Sequence, residues 1–225
     1  MTSRQRGWRV PAALVALSLV PVLAGTARLV ELAGGPEVIP ADARFTTSPL
    51  PVVVHIVCAA TYAFLGALQF SAGIRRRWPR WHRTSGRVLV GAGLGVALSA
   101  LWLTLFFAPQ EDSGVLLFGL RLVFGSALVA SLGLGFRAIR RGDVPSHRAW
   151  MTRGYAIALA AGTQVFTQGL GEAFFGHSVV ALDASRGAAW VVNLAVAEWA
   201  IRRDPVGGGA RRPTLTPMLV AGERS

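Results

Sequence analysis

Two histidine–arginine pairs contain the residue types in this sequence that are best suited to binding chemistry. His82-Arg83 and His147-Arg148 each follow a proline by two or three residues, and each precedes a further arginine where an apolar run begins. Neutral imidazole ligates metal ions and haem iron, and a neighbouring guanidinium group can bind a haem propionate. The first turn of a helix also favours anions, to which arginine adds charge-assisted hydrogen bonds.

These two pairs leave three interpretations open. In the first, both pairs anchor helix ends to lipid phosphates and to each other. In the second, His82 and His147 ligate haem or a metal ion, and Arg83 and Arg148 meet the propionates. In the third, the pairs form a site for a quinone headgroup or another anionic small molecule. The identity of a metal stays open, because no helix spacing rich in Glu and His accompanies the histidines.

A second group of polar residues lies inside apolar runs. It comprises His55, Arg121, and the series Gln164, Gln168 and Glu172, whose spacing of four puts the series on one helix face. Ionisable residues at membrane depth are costly, and they usually face the interior of a bundle and pair there. The pattern predicts an outward-facing polar cavity with an Arg121–Glu172 ion pair. The alternative is that Arg121 extends to the outer headgroups while His55 forms a helix–helix hydrogen bond.

Long apolar runs are the elements that must position these residues. Hydrophobic residues make up 52% of the chain and the mean hydropathy is +0.48, while charged residues are only 15% and cluster between the runs. Each run is too long for a strand and approaches the roughly 20 residues that a membrane-spanning helix needs. The sequence therefore predicts an all-α, polytopic bundle of about six spans, at about 8–30, 50–74, 87–108, 114–138, 151–174 and 185–202.

The distribution of arginine predicts how the bundle is oriented. Three arginines lie at 4–9, six at 75–87, five at 137–153 and five from position 202 onward, so 19 of 23 lie on one side. The positive-inside rule then places both termini in the cytoplasm. The net charge of +12 is consistent with attraction to anionic lipid and does not require nucleic acid, because the clusters border apolar runs.

The chain is predicted to hold one membrane domain between two short tails. Residues 1–7 form a cytoplasmic N-terminal tail, 8–203 the six-helix domain, and 204–225, with three consecutive glycines and three prolines, a flexible cytoplasmic tail. The first run could instead be a cleaved signal peptide, because small residues at 24–27 follow a basic start.

Several segments together resemble a known family. They are 66–71, 75–83, 86–87, 147–156 and 162–164, in this order and spread over about 50–200. The chain resembles the domain-of-unknown-function family 2306 (DUF2306) in these stretches. The resemblance implies a multi-span protein of the bacterial cell membrane and supplies neither an activity nor catalytic residues.

The function expected from the sequence is non-enzymatic. Neither a Ser-His-Asp order, a Walker loop, nor a GxGxxG after a strand occurs. We expect a membrane protein that holds haem, a quinone or another small ligand between its helices, with the lipid bilayer as its surroundings. The alternatives are a transporter-like protein that uses the outer cavity of His55 and Arg121, and a structural or accessory subunit. The oligomeric state is left open.

Overall fold

The part of the chain that the structure describes forms eight α-helices and one short 3-10 turn. The computed structural model describes residues 3–110 and 112–203, with side chains from Trp8 onward, and within these ranges there is no strand. The helices are α1 Ser3–Leu32, α2 Leu50–Gln69, α3 Ala72–Arg77, α4 Pro79–Phe106, α5 Val115–Arg140, α6 Val144–Ala158, α7 Ala160–Phe175 and α8 Val179–Arg203, and the turn is Ala43–Phe45. The predicted all-α helical bundle is confirmed. The predicted tail at 204–225 lies outside the described residues.

Five of the helices are long and apolar enough to cross a membrane. They are α1 (from Trp8), α2, α4, α5 and α8. Helix α8 corresponds to the predicted sixth span and begins at Val179, before the expected position 185. Helix α4 likewise begins before the expected position 87, at Pro79, which suits the first turn of a helix because proline has no N–H to leave unpaired.

The predicted fifth span, 151–174, is not one uninterrupted helix. Helix α6 ends at Ala158 and α7 begins at Ala160, and the amide of Gly162 donates to the carbonyl of Leu159 in a tight turn (3.0 Å). Asn193 of α8 stabilises this break. Its Nδ2 donates to the carbonyl of Ala156 (3.0 Å), and its Oδ1 accepts from the Thr163 hydroxyl (2.8 Å). The expectation of a continuous helix is wrong. The helix can break here because the side chain of Asn193, from α8, binds the carbonyl oxygen of Ala156.

Small residues allow the helices to approach closely at two places. A Cβ atom on Gly95 of α4 would lie 2.5 Å from Sγ of Cys58 in α2, so a larger residue would push these helices apart. A Cβ atom on Gly162 of α7 would collide with the backbone carbonyl of Leu17 in α1. Helix α1 therefore packs its backbone directly against the beginning of α7.

One end of the bundle, the distal end, is held together by arginine contacts. It consists of the α1–α2 connection, the α4–α5 loop, the end of α7 and the beginning of α8. Arg44 Nη1 donates to the carbonyl of Ala108 (2.9 Å), and Arg186 Nη1 donates to the carbonyl of Asp112 (2.9 Å). The α1–α2 connection, the α4–α5 loop and helix α8, which are distant in sequence, therefore meet at this end.

The opposite, arginine-rich end contains the beginnings of α4 and α6 and the ends of α5 and α8. Arg153 Nη2 in α6 donates to Oε2 of Glu198 in α8 (3.0 Å), and His147 Nδ1 hydrogen-bonds the carbonyl of Gly135 in α5 (2.9 Å). Since α6 begins here and α7 finishes at the distal end, the two short helices together run the length of the bundle.

Candidate functional site

The distal end encloses a large cavity between α2, α4, α5, the α6–α7 junction and α8. This distal cavity has a volume of about 560 Å³, within the usual range for a small-molecule site. Its apolar wall includes Phe45, Phe107, Phe124 and Trp190. Its polar and charged lining consists of Arg44, His55, Gln110, Arg121, Gln164, Gln168 and Arg186.

Four of the predicted site residues therefore line one cavity, namely His55, Arg121, Gln164 and Gln168. Glu172 is not part of its lining. The remaining four predicted residues, the two histidine–arginine pairs, belong to the opposite end of the bundle.

Arg121 does not form the predicted ion pair with Glu172. Its Nη2 donates to Oε1 of Gln110 (3.1 Å), whereas Glu172 Oε1 accepts from Gln168 Nε2 (3.0 Å). Among the described residues, which do not include Glu111, Arg121 forms no ion pair with an acidic side chain. The nearest charges act on Arg121 without contact, with Asp112 and Asp183 attracting and Arg44 and Arg186 repelling the guanidinium.

Arg186 of α8 lies next to Gln168, beside the polar series on α7. The sequence analysis had expected Arg121 in this position. The Nε of Arg186 donates to Gln168 Oε1 (3.3 Å), and its Nη2 forms an ion pair with Asp112. The sequence analysis did not identify Arg186 as a site residue. Its spacing of seven residues from Asn193, which puts both on one face of α8, could have identified it as a residue facing the bundle.

Arg44 is a second paired arginine at the mouth of the distal cavity. Its Nε donates to Asp42 Oδ1 (2.8 Å), and the ion pair lowers the pKa of Asp42 and raises that of Arg44. The guanidinium also lies 5.2 Å from the ring centroid of Phe45. Of the three arginines that line the cavity, Arg44 and Arg186 thus each have an aspartate as ion-pair partner, and Arg121 has none among the described residues.

A buried aspartate fixes the helix that contains Arg121. Asp183 of α8 is 1% exposed, and its carboxylate accepts from the amides of Gly114 (3.1 Å) and Leu117 (3.0 Å) at the beginning of α5. A carboxylate in this position satisfies amides that have no partner inside the helix and interacts favourably with the helix dipole. The sequence analysis missed this role, since nothing in the local pattern of α8 indicates a cap for another helix.

His55 presents one ring nitrogen for a ligand. Its Nδ1 hydrogen-bonds the Ser99 hydroxyl oxygen (3.0 Å), and that hydroxyl donates its own proton to the carbonyl of Gly95 (2.5 Å). In the tautomer in which Nδ1 donates to Ser99, Nε2 retains its lone pair. Because His55 lines the distal cavity, this nitrogen can accept a proton or a hydrogen bond there.

The two predicted histidines of the arginine-rich end lie near each other. They are close enough to interact electrostatically. Nδ1 of His82 is buried without a hydrogen-bond partner among the described residues, and Nδ1 of His147 bonds the carbonyl of Gly135. Arg83 is exposed, Arg148 is half-buried, and no group of three or more metal-ligating side chains is found in the described part of the chain.

The family comparison agrees with this architecture. A family model described as "Predicted membrane protein (DUF2306)" matches residues 52–201, two thirds of the chain. The matched region runs from α2 into α8 and includes most of the lining of the distal cavity. Comparisons with curated proteins and with solved structures give no match.

Proposed function

The chain belongs to the DUF2306 family of predicted membrane proteins, and on that premise we propose that it binds a small anionic ligand in its distal cavity. The ligand would have a carboxylate or phosphate group, the anions that arginine recognises best. The protein would act in the bacterial plasma membrane as a binding protein and not as an enzyme.

The orientation is part of this proposal. Both termini and the arginine-rich end would face the cytoplasm, since 19 of the 23 arginines gather there. Helices α6 and α7 would together form a sixth, interrupted span. The distal cavity would then open toward the outer side of the membrane.

The observation that carries the proposal is that Arg121 has no ion-pair partner among the described residues. Arg44 and Arg186 are each paired with an aspartate, but Arg121 has only the neutral Gln110 as a hydrogen-bond partner among the described residues. A charge at membrane depth is costly unless an opposite charge accompanies it. An anion in the cavity would supply that charge, and the side-chain amides of Gln164 and Gln168 each have a second N–H that would donate to it.

The proposal is tested by replacing Arg121 with glutamine in protein held in phosphatidylcholine nanodiscs. Binding of phosphate, butyrate and decanoate is measured by calorimetry. We expect at least one anion to bind, with a Kd about 10- to 150-fold higher in R121Q, because a hydrogen bond to a charged group contributes about 1.5–3 kcal/mol.

R87Q is the matched control, because Arg87 is an exposed arginine of α4 that lies far from the cavity. Its Kd should equal that of the wild-type protein. If the three anions fail to bind, or bind R121Q as well as the wild-type protein, the proposed function is wrong.

A second candidate function rests on the arginine-rich end. The buried Nδ1 of His82 without a partner and the nearby His147 would suit a haem or a transition-metal ion. His147 adds support, because a hydrogen bond from Nδ1 to a carbonyl orients the ring and leaves Nε2 for a metal. A Soret band in the purified protein that disappears in H82A and in H147A would establish haem, and a colourless protein from haem-replete cells would exclude it.

A further inference from the structure

A second, smaller cavity lies directly behind the distal cavity. This inner cavity has a volume of about 120 Å³ and lies between α1, α2, α4 and the α6–α7 junction. Five residues line both cavities, namely His55, Ala59, Val96, Ala158 and Ala161. Three of the five are alanines, whose side chain is a single methyl group, so only a thin partition separates the two spaces.

The two cavities differ in chemistry. Every arginine and glutamine that lines one of these cavities lines the distal cavity. Aliphatic residues and two tyrosines dominate the lining of the inner cavity. Two of the hydroxyl groups around the inner cavity are bonded to backbone: that of Tyr155 donates to the carbonyl of Ala63 (2.8 Å), and that of Ser18 donates to the carbonyl of Val15 (2.9 Å). The inner cavity therefore suits hydrocarbon, which requires no hydrogen bonds.

Helix α1 forms one wall of the inner cavity and is exposed on its other face. It contributes Pro21 and Val22 to the cavity wall, while Val20 and Leu23 on its other face are 53% and 66% exposed. Side chains this apolar and this exposed, in a helix that suits a membrane span, belong in contact with lipid. A hydrocarbon chain can therefore approach the inner cavity from the bilayer.

We infer that the two cavities together bind one single-chain anionic amphiphile. Its anionic head occupies the distal cavity at Arg121, and part of its hydrocarbon chain passes the alanine partition into the inner cavity. An engineered apolar cavity of about 150 Å³ holds benzene, so the inner cavity takes a chain segment no larger than about one benzene ring. This inference rests on the proposed function, because it takes the distal cavity as the anion site.

The test fills the inner cavity without altering the distal one. Ala60 of α2 and Val22 of α1 line only the inner cavity and face it from different helices, so A60L and V22F reduce its volume independently. A195L is the matched control, since Ala195 is an exposed alanine of α8 outside both cavities. Calorimetry in phosphatidylcholine nanodiscs gives the Kd of butyrate and of decanoate for each variant.

Each acid also partitions into the bilayer, which changes its apparent Kd. This effect cancels when the Kd of a variant is divided by that of the wild-type protein. We expect this ratio to be about fivefold or more for decanoate in A60L and V22F, because the chain loses its packing contacts. For butyrate, and for both acids in A195L, the ratio should stay near one. Equal ratios for the two acids in the filled variants, with binding still dependent on Arg121, would overturn this inference and leave the proposed function intact.

A labelling experiment on the unaltered protein decides the question if the filled variants do not fold, as judged by their melting temperature against A195L. A decanoate analogue with a terminal diazirine is photolysed in nanodiscs that contain the wild-type protein or R121Q. We expect labels at 18–25 or 59–63 that decrease in R121Q. Labels confined to other lipid-facing residues, or labels at these residues that are unchanged in R121Q, would overturn the inference.

Discussion

The two ends of the bundle use arginine in opposite ways. At the arginine-rich end the side chains are numerous, and several of them, such as Arg83 and Arg87, are exposed. At the distal end there are few, but Arg44 and Arg186 form ion pairs and Arg121 lines a cavity. The number of arginines at the arginine-rich end predicts the orientation of the chain. At the distal end, the partners of each arginine indicate where a ligand would bind.

The contrast between the two ends requires that they lie on opposite sides of the membrane. Reporter fusions after positions 40, 80, 111, 143, 180 and 210 should alternate between outside and inside, starting outside, because the positive-inside rule predicts that the arginine clusters lie in the cytoplasm. Activity of a periplasmic and a cytoplasmic reporter measures each position. Equal results at 143 and 180 would show that α6 and α7 do not cross the membrane together.

The next largest effect is expected from the aspartates that cap helices at the two ends. D183A leaves the amides of Gly114 and Leu117 without an acceptor, and each buried donor left unpaired costs about 1–3 kcal/mol, so we expect a loss of about 2–6 kcal/mol in unfolding free energy. Asp143 caps α6 in the same way through Ser146 but is exposed. D143A should therefore cost much less. Equal losses in a denaturant titration would contradict the structural role of Asp183.

A smaller effect is expected at the break between α6 and α7. T163V removes the hydroxyl that bonds Asn193, and hydrogen bonds between membrane helices contribute about 0.6 kcal/mol on average and up to about 1.7 kcal/mol. T61V is the matched control, because the Thr61 hydroxyl bonds a carbonyl of its own helix. Both unfolding free energies can be measured in the same detergent. A loss in T61V as large as in T163V would remove Asn193 as the support of the break.

The smallest effect is expected from pH at the distal end. The ion pair with Arg44 lowers the pKa of Asp42 from its ordinary value of 3.8, so its contribution to stability is complete above that pH and disappears as the pH falls through the lowered pKa. The melting temperature of the wild-type protein should exceed that of D42N at pH 6, and the difference should shrink below pH 3.8. A difference that stays constant over this range would show that the ion pair contributes nothing.

Much of the fold could be predicted from the sequence, because long apolar runs specify membrane helices with little ambiguity. The break at Leu159 could not be predicted, since residues 157–161 contain no glycine or proline and the stabilising hydrogen bonds come from Asn193. The shortest predicted span became the intact α8, whereas a run without visible interruption became two helices. Helix continuity depended on a tertiary contact that local sequence does not encode.

Four residues of the candidate site could be predicted from the sequence, but the side chains that they contact could not. The helical spacing of the polar residues was enough to place His55, Arg121, Gln164 and Gln168 around one cavity. The partners depended on which helices are neighbours, and α8 brings Arg186 to Gln168 where the sequence analysis had expected Arg121. Similarly, Arg44 lies in a connection between helices, where periodicity gives no information about direction.

The central claim, that Arg121 serves a ligand while Arg186 serves the fold, is tested most directly by comparing R121Q with R186Q. Decanoate affinity and melting temperature are measured for both variants in the same nanodiscs. We predict that R121Q weakens binding with little loss of melting temperature, whereas R186Q lowers the melting temperature because it removes the hydrogen bonds from α8 to Gln168 and to the carbonyl of Asp112. If R121Q binds decanoate like the wild-type protein and loses stability instead, Arg121 is a structural residue and the account is wrong.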